Sequence, residues 1–523
     1  LLRLLSCLDY FLGAMKTCRL GASRHPLSLT ALGVWLVGLV LAGCVDSVGP
    51  EPEGPGGLRI IAGADLTDTV LAIPTQGLVV EVRDQRGTPM SGVVVRFTSL
   101  TRDTAGFAMS TVYVGSADSP FFGSFASETT NDRGRATVRI QLGTIAGPGG
   151  VVVAVPELGV EDTARYTILP GAIAAVRAAP EDTAVYTGAS YQLRAAAVDR
   201  FGNPRGDAVT FIVGSGPATV DSGGLVTAGE IGRASVLARS GEVAATAWVS
   251  VVPRGTIAAL RSSPSFGDST GLVMVNLDGS GYRWLARVEA NILYEPAPRW
   301  APSGAEVIYA TAAFPTNPTR LYAVSLSGAV RRAISPQPAE LFQEAWPHYS
   351  RDGSWIYFSG QTAGTNFALW RAAADGSGAV RIGSDVGSFG LEWRPTPSPD
   401  GTRVAFVTFG ASGAEIRVLD LATGTNSSWS VPGQTPRWSP TAESIAFVQQ
   451  FGGPLNVMSA DGSGVRRVSA PGGAYAEGSF DWSPDGAWIV ARGPNVLELI
   501  NVQTGLTLPL AFTAALSGPA WKP

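Results

Sequence analysis

The stretch "SADGSGVRRVSA", Ser459–Ala470, decides the fold because it recurs. The same turn stands in "NLDGSGYRWL" at 276–285 and in "AADGSGAVRI" at 373–382. Each copy is an Asp-Gly dipeptide between two strand-like runs. Such dipeptides are strong hairpin signals, since a two-residue primed turn needs positive φ. Looser versions extend the series, so that turn glycines fall at Gly279, Gly328, Gly376, Gly424, Gly462 and Gly505.

A second series alternates with the first. It reads "PRWAPSGAEVIYA", "PHYSRDGSWIYFS", "PTPSPDGTRVAFV", "PRWSPTAESIAFV" and "FDWSPDGAWIVAR". The position of Trp300 recurs at Tyr349, Pro397, Trp438, Trp482 and Trp521. A period of about 38–49 residues thus holds two hairpin turns and about four strands. That is one propeller blade. The region opens with "TIAALRSS", with no preceding "WSPDG" strand, and closes with "GPAWKP", with no hairpin partner after it. One strand missing at each end predicts a split blade, with the last strand beside 257–263. The ring would close at six blades, leaving no catalytic domain behind it. Closure removes open sheet edges.

Upstream, from about Leu58 to Pro253, the chain alternates as strands do and carries two doublets. "VRDQRGTP" (Val82–Pro89) matches "VDRFGNP" (Val198–Pro204), and "GRATV" at Gly134 matches "GRASV" at Gly232. Two copies about 100 residues apart suit two sandwich modules. Asp84 and Asp199 sit where calcium ligands would, but an Asp capping its own turn explains them more simply.

The composition agrees with an all-β chain. Of 523 residues, 64 are Gly and 36 Pro, and charged residues make up 15% against roughly 25% in average domains. Lys16 and Lys522 are the only lysines, and the net charge is −4. No basic patch stands out, so nucleic acid is not an expected partner.

Residues 1–43 read as a signal peptide with an upstream extension, Met15 being the candidate start: Lys16, Arg19 and Arg24 precede the apolar run "LTALGVWLVGLVLAGC", which is shorter than a membrane span. The motif Leu41-Ala42-Gly43-Cys44 resembles the lipobox of bacterial lipoproteins. That resemblance implies cleavage before Cys44 and lipid on its sulfur. Cys7 and Cys18 would be removed, leaving no disulfide. Residues 44–57, rich in Pro, Gly and acid, read as a tether.

The sandwich modules, expected at 58–169 and 170–253, resemble bacterial immunoglobulin-like domains, the first of the invasin and intimin type. The region 254–523 resembles the TolB-type propeller, which implies a periplasmic platform binding protein or ligand at its funnel. The expected fold class is all-β: two immunoglobulin-like sandwiches and a six-bladed propeller closed by its terminal strands. The expected function is non-enzymatic binding by a lipid-anchored envelope protein, at the outer membrane if Val45 after the cysteine follows the enteric sorting pattern. A propeller lyase or hydrolase using funnel acids, or a surface adhesin, are the alternatives.

Four candidate site residues lie five positions before the recurring Trp position: Glu295, Glu344, Glu392 and Glu477. Trp346, Trp393 and Tyr475 accompany them, as does Tyr294. A ring of carboxylates at one channel mouth would suit a cation or a basic group. Otherwise each Glu accepts backbone N–H bonds and locks blade to blade. "GDSTG", Gly267–Gly271, matches the hydrolase elbow in letters, but a strand follows Ser269 where a helix is needed. Among histidines only His25 and His348 exist. His348 is expected on a blade surface and Trp300, Trp438 and Trp482 in the core. No metal site, catalytic residue or cofactor is expected, because one mature histidine and an acylated cysteine cannot build a zinc site.

Overall fold

A computed structural model of the chain describes residues 57–104, 107–261, 271–288, 298–311, 319–326, 331–334, 341–383, 391–410, 413–449, 452–475, 479–513 and 515–523. Cys44, the lipobox, Glu295, Glu477, Tyr294 and Ser269 fall outside these residues. Strands make up nearly all of the regular structure, with one short 3-10 turn at Ala511–Thr513. No helix among the described residues is long and apolar enough to cross a membrane.

The first sandwich packs two sheets face to face. One holds Leu58–Ala62, Leu78–Val82, Arg135–Leu142 and Val112–Ser116, and the other is led by Val160–Leu169, Gly147–Val155 and Val94–Ser99. Alternation decides which side chains turn inward. Leu78, Val80 and Val82 are buried, as are Val95 and Phe97, and they meet Val138, Ile140 and Val153 in one core. The second module repeats a detail of the first. A short early strand pairs parallel with the module's last strand, Leu66–Thr69 on Val160–Leu169 and Asp182–Tyr186 on Val243–Val252.

The doublet turns are capped by their own aspartates. Asp84 Oδ1 accepts from the N–H groups of Arg86 and Thr88, both at 2.8 Å, and Asp199 Oδ1 accepts from Phe201 and Asn203, both at 2.9 Å. Gly87 and Gly202 supply φ of 81° and 83°. The second turn also joins the two modules. Asn203 donates to Thr144 O at 2.8 Å and accepts from Ala146 N–H at 2.9 Å.

The propeller is six four-stranded sheets. Its recurring Asp-Gly-Ser-Gly turns share one geometry. Asp278, Asp375 and Asp461 each accept from the N–H and hydroxyl of the serine two residues on, and Gly279, Gly376 and Gly462 hold φ of 84°, 89° and 87°. A side chain at those glycines would be strained. The split blade closes as the sequence predicts. Leu516–Trp521 pairs antiparallel with Thr256–Arg261, setting Trp521 opposite Ile257.

The first strand of each blade lies innermost, because these strands touch one another around the ring. Leu341–Tyr349 meets Trp393–Pro397, which meets Gln434–Trp438; Phe480–Trp482 meets Leu516–Trp521; and Arg299–Trp300 meets the strands on either side of it. The recurring tryptophans are core, as expected: Trp300, Trp438 and Trp482 are 6%, 6% and 5% exposed. Two of them also bridge blades. Trp300 Nε1 donates to Ala520 O and Trp482 Nε1 to Arg437 O, both at 3.0 Å.

The second sandwich is docked on this ring. Ala184, Val252 and the half-buried Tyr186 share a hydrophobic cluster with Ile257, Val275 and Leu510. Tyr186 Oη donates to Gly255 O at 3.1 Å, and Ser250 Oγ to Pro509 O at 2.8 Å.

Candidate functional site

The two described members of the glutamate series are buried, Glu344 at 1% and Glu392 at 0% exposure. Each reaches back to the preceding blade. Leu321 N–H donates to Glu344 Oε2 at 3.2 Å, and Leu369 N–H donates to Glu392 Oε2 at 3.3 Å. Both amides belong to the third strand of the blade before. Arg320 Nη1 adds an ion pair to Glu344 at 3.4 Å. Room for Glu392 depends on Gly383, where a Cβ would stand 1.7 Å from Oε2. These two carboxylates tie blade to blade.

Trp346 and Trp393 come together. Their ring centroids are 5.6 Å apart with planes at 85°, and Phe367 and Phe409 extend the cluster at 5.5 and 5.3 Å. The Arg394 guanidinium lies 5.6 Å from the Trp346 ring centre and 5.9 Å from that of Trp393. Tyr475 does not join them. It packs with Ala446, Val457 and Phe480, and its hydroxyl donates to Glu498 at 2.7 Å.

A repeated bulge shapes the inner strands. Trp346, Arg394, Thr435 and Gly518, each three residues before the recurring Trp position, hold φ of 50°, 57°, 54° and 54°. Pairing with the next strand slips at the same places, Ala345/His348, Trp393/Thr396 and Gln434/Arg437. A left-handed conformation costs a non-Gly residue roughly 1–3 kcal/mol, and persists where the surroundings dictate it. The bulge re-aims the residues that follow, and the Arg394 side chain crosses to donate to Thr435 Oγ1 of the next blade.

The residue before each recurring Trp position belongs to the innermost strands: Arg299, His348, Thr396, Arg437, Asp481 and Ala520. Arg299 and Arg437 are 3% and 4% exposed. Charges from different blades act on one another here. Burial, then Arg437 and Arg299, push the His348 imidazole down to about 3 from its ordinary 6.5. Burial, then the fields of Arg299 and Arg394, pull Arg437 well below the usual arginine range, and Asp481 opposes them. His348 keeps partial solvent contact although protein surrounds it, which is the situation of a side chain lining a narrow channel. It lies on an inner strand, in the fields of Arg299 and Arg437 from other blades, rather than on an outward blade surface. Its Nδ1 lies 2.9 Å from Tyr349 O. A carbonyl only accepts, so Nδ1 carries the hydrogen and Nε2 presents a lone pair.

Arg437 is the outlier of the set. Its Nη1 reaches only the neighbouring Pro436 O, at 3.5 Å, and its Nε has no protein hydrogen-bond partner. Among the described residues it makes no ion pair. Thr396 Oγ1, at the equivalent position one blade earlier, also lacks a protein partner. A guanidinium does not give up its proton in a protein, and a buried uncompensated charge costs several kcal/mol. The sequence signal existed: a charged residue recurs beside a buried aromatic in an inner strand.

No protein-family model matches the chain. An uncharacterized protein of Agrobacterium fabrum is 25% identical over 215 residues, which is 38% of this chain and 69% of that protein. Among solved structures, TolB from Acinetobacter baumannii shows 17% identity and a TM-score of 0.42, covering 62% of this chain and 84% of its own. A putative TolB from Agrobacterium tumefaciens shows 14% identity and a TM-score of 0.40, covering 52% and 100%.

Proposed function

We propose that this all-β chain, two sandwiches carrying a closed six-bladed propeller, is a lipid-anchored cell-envelope protein whose propeller is a non-enzymatic binding head. The lipobox-like Leu41-Ala42-Gly43-Cys44 supports the anchor. The sandwiches, read as immunoglobulin-like, form the stalk, and the second is fixed to the propeller by a shared core. One observation carries the binding role: three inner strands hold non-Gly residues, Trp346, Arg394 and Thr435, at positive φ at equivalent positions of neighbouring blades. Strain of this kind collects at ligand sites. The ligand is a protein segment entering the channel, with an envelope glycan as the second candidate.

The test is affinity capture from envelope extracts with the whole mature chain, because the propeller shares its core with the second sandwich. Native protein should retain a defined partner, and Arg394→Ala should lose it while still melting cooperatively. Capture that ignores this substitution would refute the channel as the binding surface. Turnover of an envelope polymer, abolished by His348→Gln, would replace the binding reading with an enzyme.

A further inference from the structure

On the innermost strands Arg299 and Arg437 act on His348, and Arg299, Arg394 and Asp481 act on Arg437, so that only one of these groups is an acid. The nearby described acids are engaged elsewhere. Glu344 meets Leu321 N–H and Arg320, Glu392 meets Leu369 N–H, and Asp481 Oδ2 accepts from Trp521 N–H at 3.0 Å. Arg437 is 4% exposed, has an Nε without a protein partner, and forms no ion pair among the described residues. We infer that the central channel holds a carboxylate-binding site, in which Arg437 is the principal donor and the ligand is the free carboxylate of a peptide segment.

The chemistry of the donors selects the ligand. A guanidinium is a planar fork that matches a carboxylate with two parallel N–H···O bonds. His348, held neutral, offers a hydrogen-bonding imidazole rather than a charge. Thr396 Oγ1 offers a further hydroxyl from the same ring position. The aromatics favour a peptide over a sugar acid. Trp346 is 6% exposed and packs edge to face with Trp393, so it offers no open ring face for a pyranose to stack on. This deepens the binding-head reading and rests on it for the identity of the partner, but the anion site itself is measurable without any partner.

The experiment titrates the whole mature chain, by calorimetry and thermal shift, with a short peptide ending in a free carboxylate. Its C-terminal amide, sodium glucuronate, inorganic phosphate and sodium chloride at equal ionic strength serve as comparisons. The free acid should bind and the amide should not. Arg437→Met should weaken the acid by about tenfold or more, the usual worth of a hydrogen bond to a charged group. Arg437→Lys, which keeps the charge but not the fork, should fall between. Without ligand, Arg437→Met should melt no lower than the parent, because a buried guanidinium with no ion pair among the described residues has been removed. Equal binding of acid and amide, or a free acid no better than chloride, would overturn the site. Glucuronate or phosphate binding in preference to the peptide acid would overturn the peptide assignment. A variant that melts well below the parent would mark Arg437 as structural and overturn the proposal. If the free acid binds yet envelope capture yields nothing, the binding-head reading fails while the anion site stands.

Discussion

Replacing Trp521 with Ala tests the closure of the propeller at its weakest seam. The strand Leu516–Trp521 is held to Thr256–Arg261 by backbone pairing, so its retention depends on what its side chains bury. Trp521 is 5% exposed and packs against Ile257, Val275, Leu277 and Trp488. Its own N–H meets Asp481 Oδ2 at 3.0 Å, and the adjacent Ala520 O accepts from Trp300 Nε1 at 3.0 Å, so three blades meet at this corner. Removing a buried tryptophan costs about 3–5 kcal/mol. For a unit of this size a kilocalorie moves the midpoint by about 2–4 °C, so a drop of about 6–20 °C is expected. Scanning calorimetry is the appropriate assay, because it separates the propeller transition from that of the first sandwich. The second sandwich should move with the propeller, since Ala184 and Val252 belong to the same cluster. Phe125→Ala, at a site 72% exposed on the first sandwich, is the control and should change stability by less than about 0.5 kcal/mol. A Trp521→Ala midpoint within about 2 °C of the parent would show that this strand does not close the ring.

Glu344→Gln and Glu392→Gln should each lower propeller stability by about 1–2 kcal/mol, since a neutral amide accepts a backbone N–H more weakly than a carboxylate does; denaturant titration checks this, and unchanged midpoints would remove their role as blade ties. His348 is held neutral in the fold at about 3 against 6.5 when free. The unfolded chain therefore binds the extra proton between those values, and stability present above pH 6.5 is lost as pH falls toward 3. The full shift corresponds to about 5 kcal/mol, and channel water reduces it to about 2–4 kcal/mol. His348→Gln should flatten the difference in unfolding free energy between pH 7 and pH 4 by that amount, and an unchanged slope would put His348 in open solvent. Cys44→Ser should release the protein from the membrane fraction, and a variant that stays membrane-bound and uncleaved would exclude lipidation at this cysteine.

What the sequence determined by itself is what short segments encode. An Asp-Gly-Ser-Gly turn is complete within a few residues: the aspartate meets the serine two positions on, and glycine supplies the positive φ. The repeat of that turn, with the recurring Trp position, fixed the number of blades and the split one. The capped turns at Asp84 and Asp199 were legible for the same reason. The tertiary structure decided everything that depends on a neighbouring blade. Whether the glutamates face a ligand or a backbone was open in the sequence, because the amides that Glu344 and Glu392 accept from lie 23 residues away in another sheet. The left-handed Trp346, Arg394 and Thr435 have no local signal, since none is glycine. His348 was misread because alternation places the neighbour of a buried aromatic on the opposite face of its strand. In an isolated sheet that face is surface. Bending six sheets into a ring brings Arg299 and Arg437 to that face from other blades.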